Sequence, residues 1–266
     1  MKTALGLIAS LLMSLLSCGA MQEVTFKRAQ PLGQKSSYTM KNTVKTLPSP
    51  ESASMDVTMD ARIETEVTSV QPDGDWTLAT RLVTGEVKIN GESQPAGSLP
   101  FAGKSFSLVM DRNGNVVKVI GAEDVLPGID LKQLATQMNP AALLPASVVR
   151  VGESWPIETS NDLQMPGGSM HQTIKGTGTL RSVNTGKANV DLDLEFAMSI
   201  NGGSGMTASG TGKGKVSMTY DVDKARIISN KSDIAMELAA EIRTGSQSHH
   251  TKSSVSTSGQ FDLIDK

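Results

Sequence analysis

The sequence predicts a mainly β protein, with long, curved antiparallel sheets from two related halves and one short helical segment near residues 129–144. Three observations predict it. Apolar residues recur at every second position over long stretches, Asn-Gly and Asp-Gly pairs separate those stretches, and only one window carries helical spacing. Alternation leaves one greasy and one wet face, which marks antiparallel sheet; strands of parallel sheets are apolar on both faces.

Residues 1–17 read as a signal peptide. Lys2 supplies a cationic start and Ala4 to Leu16 is an unbroken small and apolar run, shorter than the roughly 20 residues a helix needs to cross a bilayer. Cys18 follows in Leu15-Leu16-Ser17-Cys18-Gly19. This string resembles the lipobox of bacterial lipoproteins, which implies a diacylated thiol on Cys18. The alternative is a secreted chain cut after Ala20, because Cys18 and Ala20 also satisfy the small-residue rule for ordinary cleavage. Residues 18–35 form an anchor and linker.

A first β repeat covers 36–128. Val57, Met59, Ala61, Ile63 and Val67 alternate with polar residues, and Phe106, Leu108 and Met110 do the same. Asp73-Gly74, Asn90-Gly91 and Asn113-Gly114 are hairpin signals of type I′, whose central residues need positive φ. The apolar parity slips near Gly85, as a bulge would make it. A helical connection covers 129–150, with Asp130 as cap, Leu131, Leu134, Ala135 and Met138 at helical spacing, and Pro140 as a break.

A second β repeat covers 151–266, the whole forming one composite domain. Val190, Leu192, Leu194, Phe196, Met198 and Ile200 alternate against Asn189, Asp191, Asp193 and Glu195; Val216, Met218 and Tyr220, then Ile234, Met236 and Leu238, extend the pattern. The Ser-rich tail from Thr244 to Ser258 reads either as a last polar strand or as a mobile segment. The halves are related by two matches in the same order: Val67 to Gly91 parallels Leu180 to Gly202, and Gly103 to Asp111 parallels Gly212 to Asp221.

Composition removes several function classes. With 25 basic and 27 acidic residues mixed along the chain, no basic face neutralises phosphates, so no nucleic acid is expected as partner. One Cys and three His nearly exclude a multi-ligand structural zinc site, and no metal or cofactor is expected. The chain lacks a G-x-S-x-G elbow. Ser169 and His171 share a strand face without a third member. His249 and His250 point to opposite faces of a strand. Asp111 to Asn115 lacks the twelfth-position Glu of a calcium loop and reads as a tight hairpin. Asp191, Asp193 and Glu195 sit opposite the apolar row on a hydrated face, away from the burial that tunes catalytic carboxylates. No catalytic residue is assigned and no enzyme is expected.

Two segments carry a resemblance. FSLVMDRNGNVVKVIGAEDVL, then a helix, then LLPASVVRVGESWPIE, is similar to a family of uncharacterised bacterial secreted lipoproteins with a strand, D-x-x-G, strand hairpin and a V-G-[DE]-[ST]-W segment. Here that segment is Val151, Gly152, Glu153, Ser154 and Trp155. The resemblance covers roughly residues 35–200 and implies export and β architecture, with no activity to carry over. More loosely, the architecture resembles half-barrel lipid-carrier lipoproteins.

The 14 Met residues, against 3% aromatics, point to an adaptable apolar face. Met59, Met110, Leu194, Met198, Met218 and Met236 are the candidate lining of a hydrophobic-ligand site. The expected protein is exported, lipid-anchored at Cys18, non-catalytic and located in a bacterial cell envelope, its partners the membrane and a hydrophobic small molecule or lipid. The alternative is a structural envelope lipoprotein with a closed core.

Overall fold

The computed structural model describes residues 22–48, 54–95, 103–122, 130–137, 139–165, 167–202, 205–244 and 247–264. The signal peptide and Cys18 lie outside the described residues, as do Ile129 and Met138 of the helical window.

The first half comprises β1 (Glu23–Val24), β2 (Lys35–Pro48), β3 (Met55–Val70), β4 (Trp76–Ile89), β5 (Glu92–Ser93), β6 (Ser105–Met110) and β7 (Val116–Ile120). A helix, α1 (Leu131–Gln137), and a 3-10 turn (Pro140–Leu143) connect it to the second half. There β8 (Val149–Arg150), β9 (Ser154–Met165), β10 (Gly168–Asn184), β11 (Lys187–Gly202), β12 (Met206–Asp221), β13 (Arg226–Thr244) and β14 (Gln247–Leu263) follow. The Asp130 carboxylate accepts the Gln133 N–H at 3.1 Å, so it caps α1, and Pro140 opens the separate 3-10 turn. The Ser-rich tail is a strand: β14 pairs with β13 on one side and with β2 on the other.

The main sheet has 12 strands in the order β7-β6-β4-β3-β2-β14-β13-β12-β11-β10-β9, with β5 attached to β4. Its described pairings are antiparallel, and neighbours are consecutive in the chain except where β6 pairs with β4 past the short β5 and where the last strand, β14, returns to β2. Laid flat at about 4.8 Å per strand, this order would separate β7 from β9 by nearly 50 Å. Yet both edge strands touch α1, a helix only about 10 Å long. The sheet is therefore rolled, and α1 bridges its seam at one end. Gln133 on α1 accepts the Gln164 N–H of β9 at 3.4 Å, while Ala135 packs with Val116 of β7 in one apolar cluster.

The N-terminal segment shows which face lies inside the roll. Phe26 is buried between Trp155 of β9 and Tyr220 of β12, with ring centroids 6.3 and 5.6 Å away. Two residues on, the Arg28 side chain lies against Gly114 of the β6–β7 turn, and Ala29 packs with Val67, Trp76 and Met110. One short strap thus touches the apolar rows of β12 and of β4, five places apart in the sheet order. Only the inside of a roll permits that. The strap, the 3-10 turn and Leu144 fill this end, burying Leu180, Ala188, Val190 and Tyr220 almost completely.

Local geometry refines the sequence reading in two places. The parity slip falls at Val83, since Leu82 pairs Ile63 and Thr84 pairs Arg62; the extra residue restores Gly85, Val87 and Ile89 to the inner face. Of the three predicted I′ pairs, only Asn90-Gly91 has positive φ at both residues (51° and 85°). At Asp73-Gly74 and Asn113-Gly114 only the glycine does, because Asp73 and Asp111 carboxylates accept backbone N–H groups and hold an Asx-type turn.

Candidate functional site

The register sets the inner face strand by strand. From the level of Leu192 to that of Ile200, the inward rows of β10 to β14 and of β2 to β4 contain no Asp, Glu, Lys, Arg or His. The charges of these strands stand on the outer face, in cross-strand pairs such as Lys213 with Glu195 (3.1 Å) and Lys175 with Glu158 (2.8 Å). Hydrogen bonding by the Lys175 ammonium holds the Glu158 carboxyl below its ordinary range, and the same bond raises Lys175. A groove of about 1080 Å³ crosses this outer face between Lys45, Asp193, Glu195, Lys213 and Lys215; it is a wet, charged surface.

The candidate lining residues divide by depth. Met218 (2% exposed), Leu194 (4%) and Met110 (6%) are buried, Met218 next to Tyr220 on the same face of β12, Leu194 farther along the same apolar cluster, and Met110 beside Trp76. Met198 and Met236 are half-buried on β11 and β13, and Met59 is half-buried on β3, across β14 and β2 from them. Leu194, Met198 and Met236 therefore share one wall, Met59 stands on another, and Met110 lies at the filled end.

Between β11 and β13, β12 offers Gly210, Gly212 and Gly214 on the inner face. A Cβ on Gly210 would lie 2.3 Å from a Leu238 methyl, one on Gly212 2.5 Å from Met236 Cγ, and one on Gly214 2.9 Å from the Phe196 ring. The flanking side chains lean over the bare strand, and only glycine leaves room for them.

The inner face is not uniformly apolar. Asn230 and Ser232 on β13, Thr257 and Gly259 on β14, and Asn42 on β2 form a polar lane between the walls. This lane was missed in the sequence because alternation was followed through its apolar members; Asn42, in phase with Tyr38, Met40 and Val44, is the signal that would have found it.

Sequence reasoning also passed over Ser160 and Asp162. The Asp162 carboxylate lies 2.7 Å from His171 Nδ1, and Ser160 Oγ lies 3.4 Å from Nε2, the connectivity of a nucleophile, base and orienting acid. Thr173 Oγ1 competes for Nε2 at the same 3.4 Å, and both hydroxyls are longer than the 2.6–3.2 Å of proton-transfer contacts. His171 is 49% exposed and Asp162 72% exposed, so water surrounds the group. Ser169, paired with His171 in the sequence reading, has no hydrogen bond to it among those described. His249 and His250 lie opposite Ile242 and Glu241, on opposite faces of β14.

The V-G-E-S-W segment has a structural role. Gly152 (φ 89°) turns the chain from β8 to β9, the Glu153 carboxylate accepts the Arg150 N–H at 2.8 Å, and Trp155 is buried with its indole N–H donating to the Leu143 carbonyl at 3.0 Å.

No family model and no curated protein matches the chain. Among solved structures it is similar to the crystal structure of Pseudomonas aeruginosa OccK11 (OpdR), at 7% identity over 92% of this chain and 100% of that one, with a TM-score of 0.21. It is also similar to a loop-deletion mutant of OmpT, an outer membrane protein of Vibrio cholerae, at 6% identity over 88% of this chain and 100% of that one, TM-score 0.20. A third is a Rh. blastica porin mutant, at 8% identity over 87% of this chain and 100% of that one, TM-score 0.22. Scores this low lend nothing to the reading of fold or function.

Proposed function

We propose that this chain is an exported, lipid-anchored, non-catalytic protein of a bacterial cell envelope that holds a hydrophobic ligand against the inner face of its rolled sheet. One observation carries the reading. Beyond the filled end the inner wall is free of charge, and Met59, Met198, Ile200, Met236 and Leu238 remain only half-buried there. A folded chain does not leave such a surface part-wet without cost, at about 25 cal/mol for each Å², and an acyl chain or similar ligand would cover it. Flexible Met side chains suit ligands of varied shape.

The leaning of Leu238, Met236 and Phe196 over the β12 glycines favours the other reading, a structural envelope lipoprotein whose interior closes on itself. Native mass spectrometry with organic extraction separates the two. A lipid that co-purifies with the folded chain supports the carrier. A bare chain that also fails to bind a neutral fluorescent apolar probe rejects it.

A further inference from the structure

We infer that the polar lane on the inner wall is a subsite for the hydrogen-bond donor of a neutral lipid, such as the hydroxyl of a long-chain alcohol or diacylglycerol. The inference rests on the carrier reading above and goes on to specify the ligand's chemistry.

The geometry centres on Gly259 of β14. Ser232 on β13 and Asn42 on β2 flank it on the inner face. The point where a Cβ on Gly259 would sit is 2.7 Å from Ser232 Oγ and 3.9 Å from Asn42 Oδ1. Two polar side chains thus converge over a strand that carries no side chain of its own there. Asn230 stands two residues from Ser232 on the same face.

The Oδ1 atoms of Asn42 and Asn230 are both buried, and among the described residues neither accepts a hydrogen bond. Buried polar atoms are nearly always paired, and an unpaired one is costly. A carboxamide oxygen accepts and cannot donate, so the missing partner must bring an O–H or N–H. Since no ionisable side chain occupies this stretch of the inner wall, a charged headgroup would be desolvated there without a counter-ion. A neutral donor fits. The neighbouring walls supply the rest of the chemistry: Ile234 on one side and Met59 and Val87 on the other are half-buried and can meet a hydrocarbon chain.

The test compares hexadecanol with its methyl ether, two ligands of similar chain that differ in the donor. Each displaces a neutral fluorescent apolar probe from the purified full chain after exchange on hydrophobic resin. One hydrogen bond to an otherwise unpaired acceptor predicts that the alcohol binds about tenfold tighter. Asn42→Leu and Asn230→Leu should narrow that preference. Equal binding of alcohol and ether, or a preference for the ether, overturns the subsite and leaves the carrier reading standing, the lane then holding water only. Failure of the wild-type chain to bind probe or either ligand overturns both. The wild-type comparison needs no variant, so a substitution that fails to fold does not blunt it.

Discussion

The Tyr220 hydroxyl donates to the Lys27 carbonyl at 2.7 Å, joining residues 193 apart in the chain. It pins the N-terminal strap to β12 at the filled end of the roll, where Phe26 meets the Tyr220 ring edge-on. Burial pushes the Tyr220 phenol well above its ordinary value, with nearby Arg28 opposing the shift.

That shift fixes a sign. The folded chain holds the phenol protonated, whereas an unfolded tyrosine ionises near about pH 10. The stability it contributes is fully present below that value and is lost as pH rises above it. Urea midpoints measured from pH 8 to 11 should fall at the alkaline end. Tyr220→Phe should lose about 1 kcal/mol at neutral pH through the missing hydrogen bond and show a shallower alkaline decline. Wild-type and variant curves that stay parallel would show that this phenol is not the group responsible.

Phe26 is, with Val24, an apolar member of the N-terminal strap that belongs to the larger cluster. Phe26→Ala removes a ring that is 3% exposed and should cost about 3–5 kcal/mol. Thermal melting by circular dichroism reads the loss. A variant melting within a degree or two of wild type would mean that the strap is dispensable to the roll.

Leu194 and Glu195 are neighbours on β11 facing opposite ways. Leu194→Asp puts an unpaired charge among buried apolar groups and should unfold or aggregate the chain. Glu195→Ala acts on the wet face and should change stability by no more than about 0.5 kcal/mol. Two variants with equal melting temperatures would reverse the assignment of inside and outside.

The alternation that makes this contrast possible was plain in the sequence, because side-chain direction in a strand depends on local parity alone. Leu192, Leu194 and Phe196 could be placed inside with no knowledge of their partners. Other features depend on distant partners and left no local trace. Nothing near Ala135 says that α1 bridges β7 and β9, and nothing near Phe26 says that it meets Tyr220. The polar β14 hid for a different reason. Its inner residues Ser253 and Thr257 carry little apolar signal, and it is a strand because β13 and β2 supply hydrogen bonds on both sides. Within the candidate site, the Met residues stood out by type, while Asn42 and Asn230 read as ordinary polar residues until the register placed them inward.

Gly178 lies under the Trp155 indole, where a Cβ would come within 2.2 Å of ring atom Cε2. Gly178→Ala should lift the indole away from β10 and break its hydrogen bond to the Leu143 carbonyl. The expected readout is red-shifted tryptophan fluorescence with a melting temperature lowered by several degrees; Trp76, in the second cluster, provides a constant background. Unchanged emission would mean that Trp155 does not rest on that strand.

Cys18 lies four residues before Gln22, and the chain from Gln22 onward runs straight into the filled end: the Gln22 carbonyl accepts the Val151 N–H at 2.9 Å and β1 pairs with β8. Under the proposed function, a lipid on Cys18 would therefore hold that end towards the membrane and turn the half-buried inner wall away from it. Each buried methylene of an acyl chain adds about 0.8 kcal/mol, so two chains anchor firmly. Cys18→Ser should move the protein from the membrane fraction to the soluble fraction. Its melting temperature should not change, since the described strap contacts lie from Gln22 onward. A serine variant that still sediments with membranes would reject the lipid anchor. A variant that is released but melts lower would instead assign the cysteine a part in the fold.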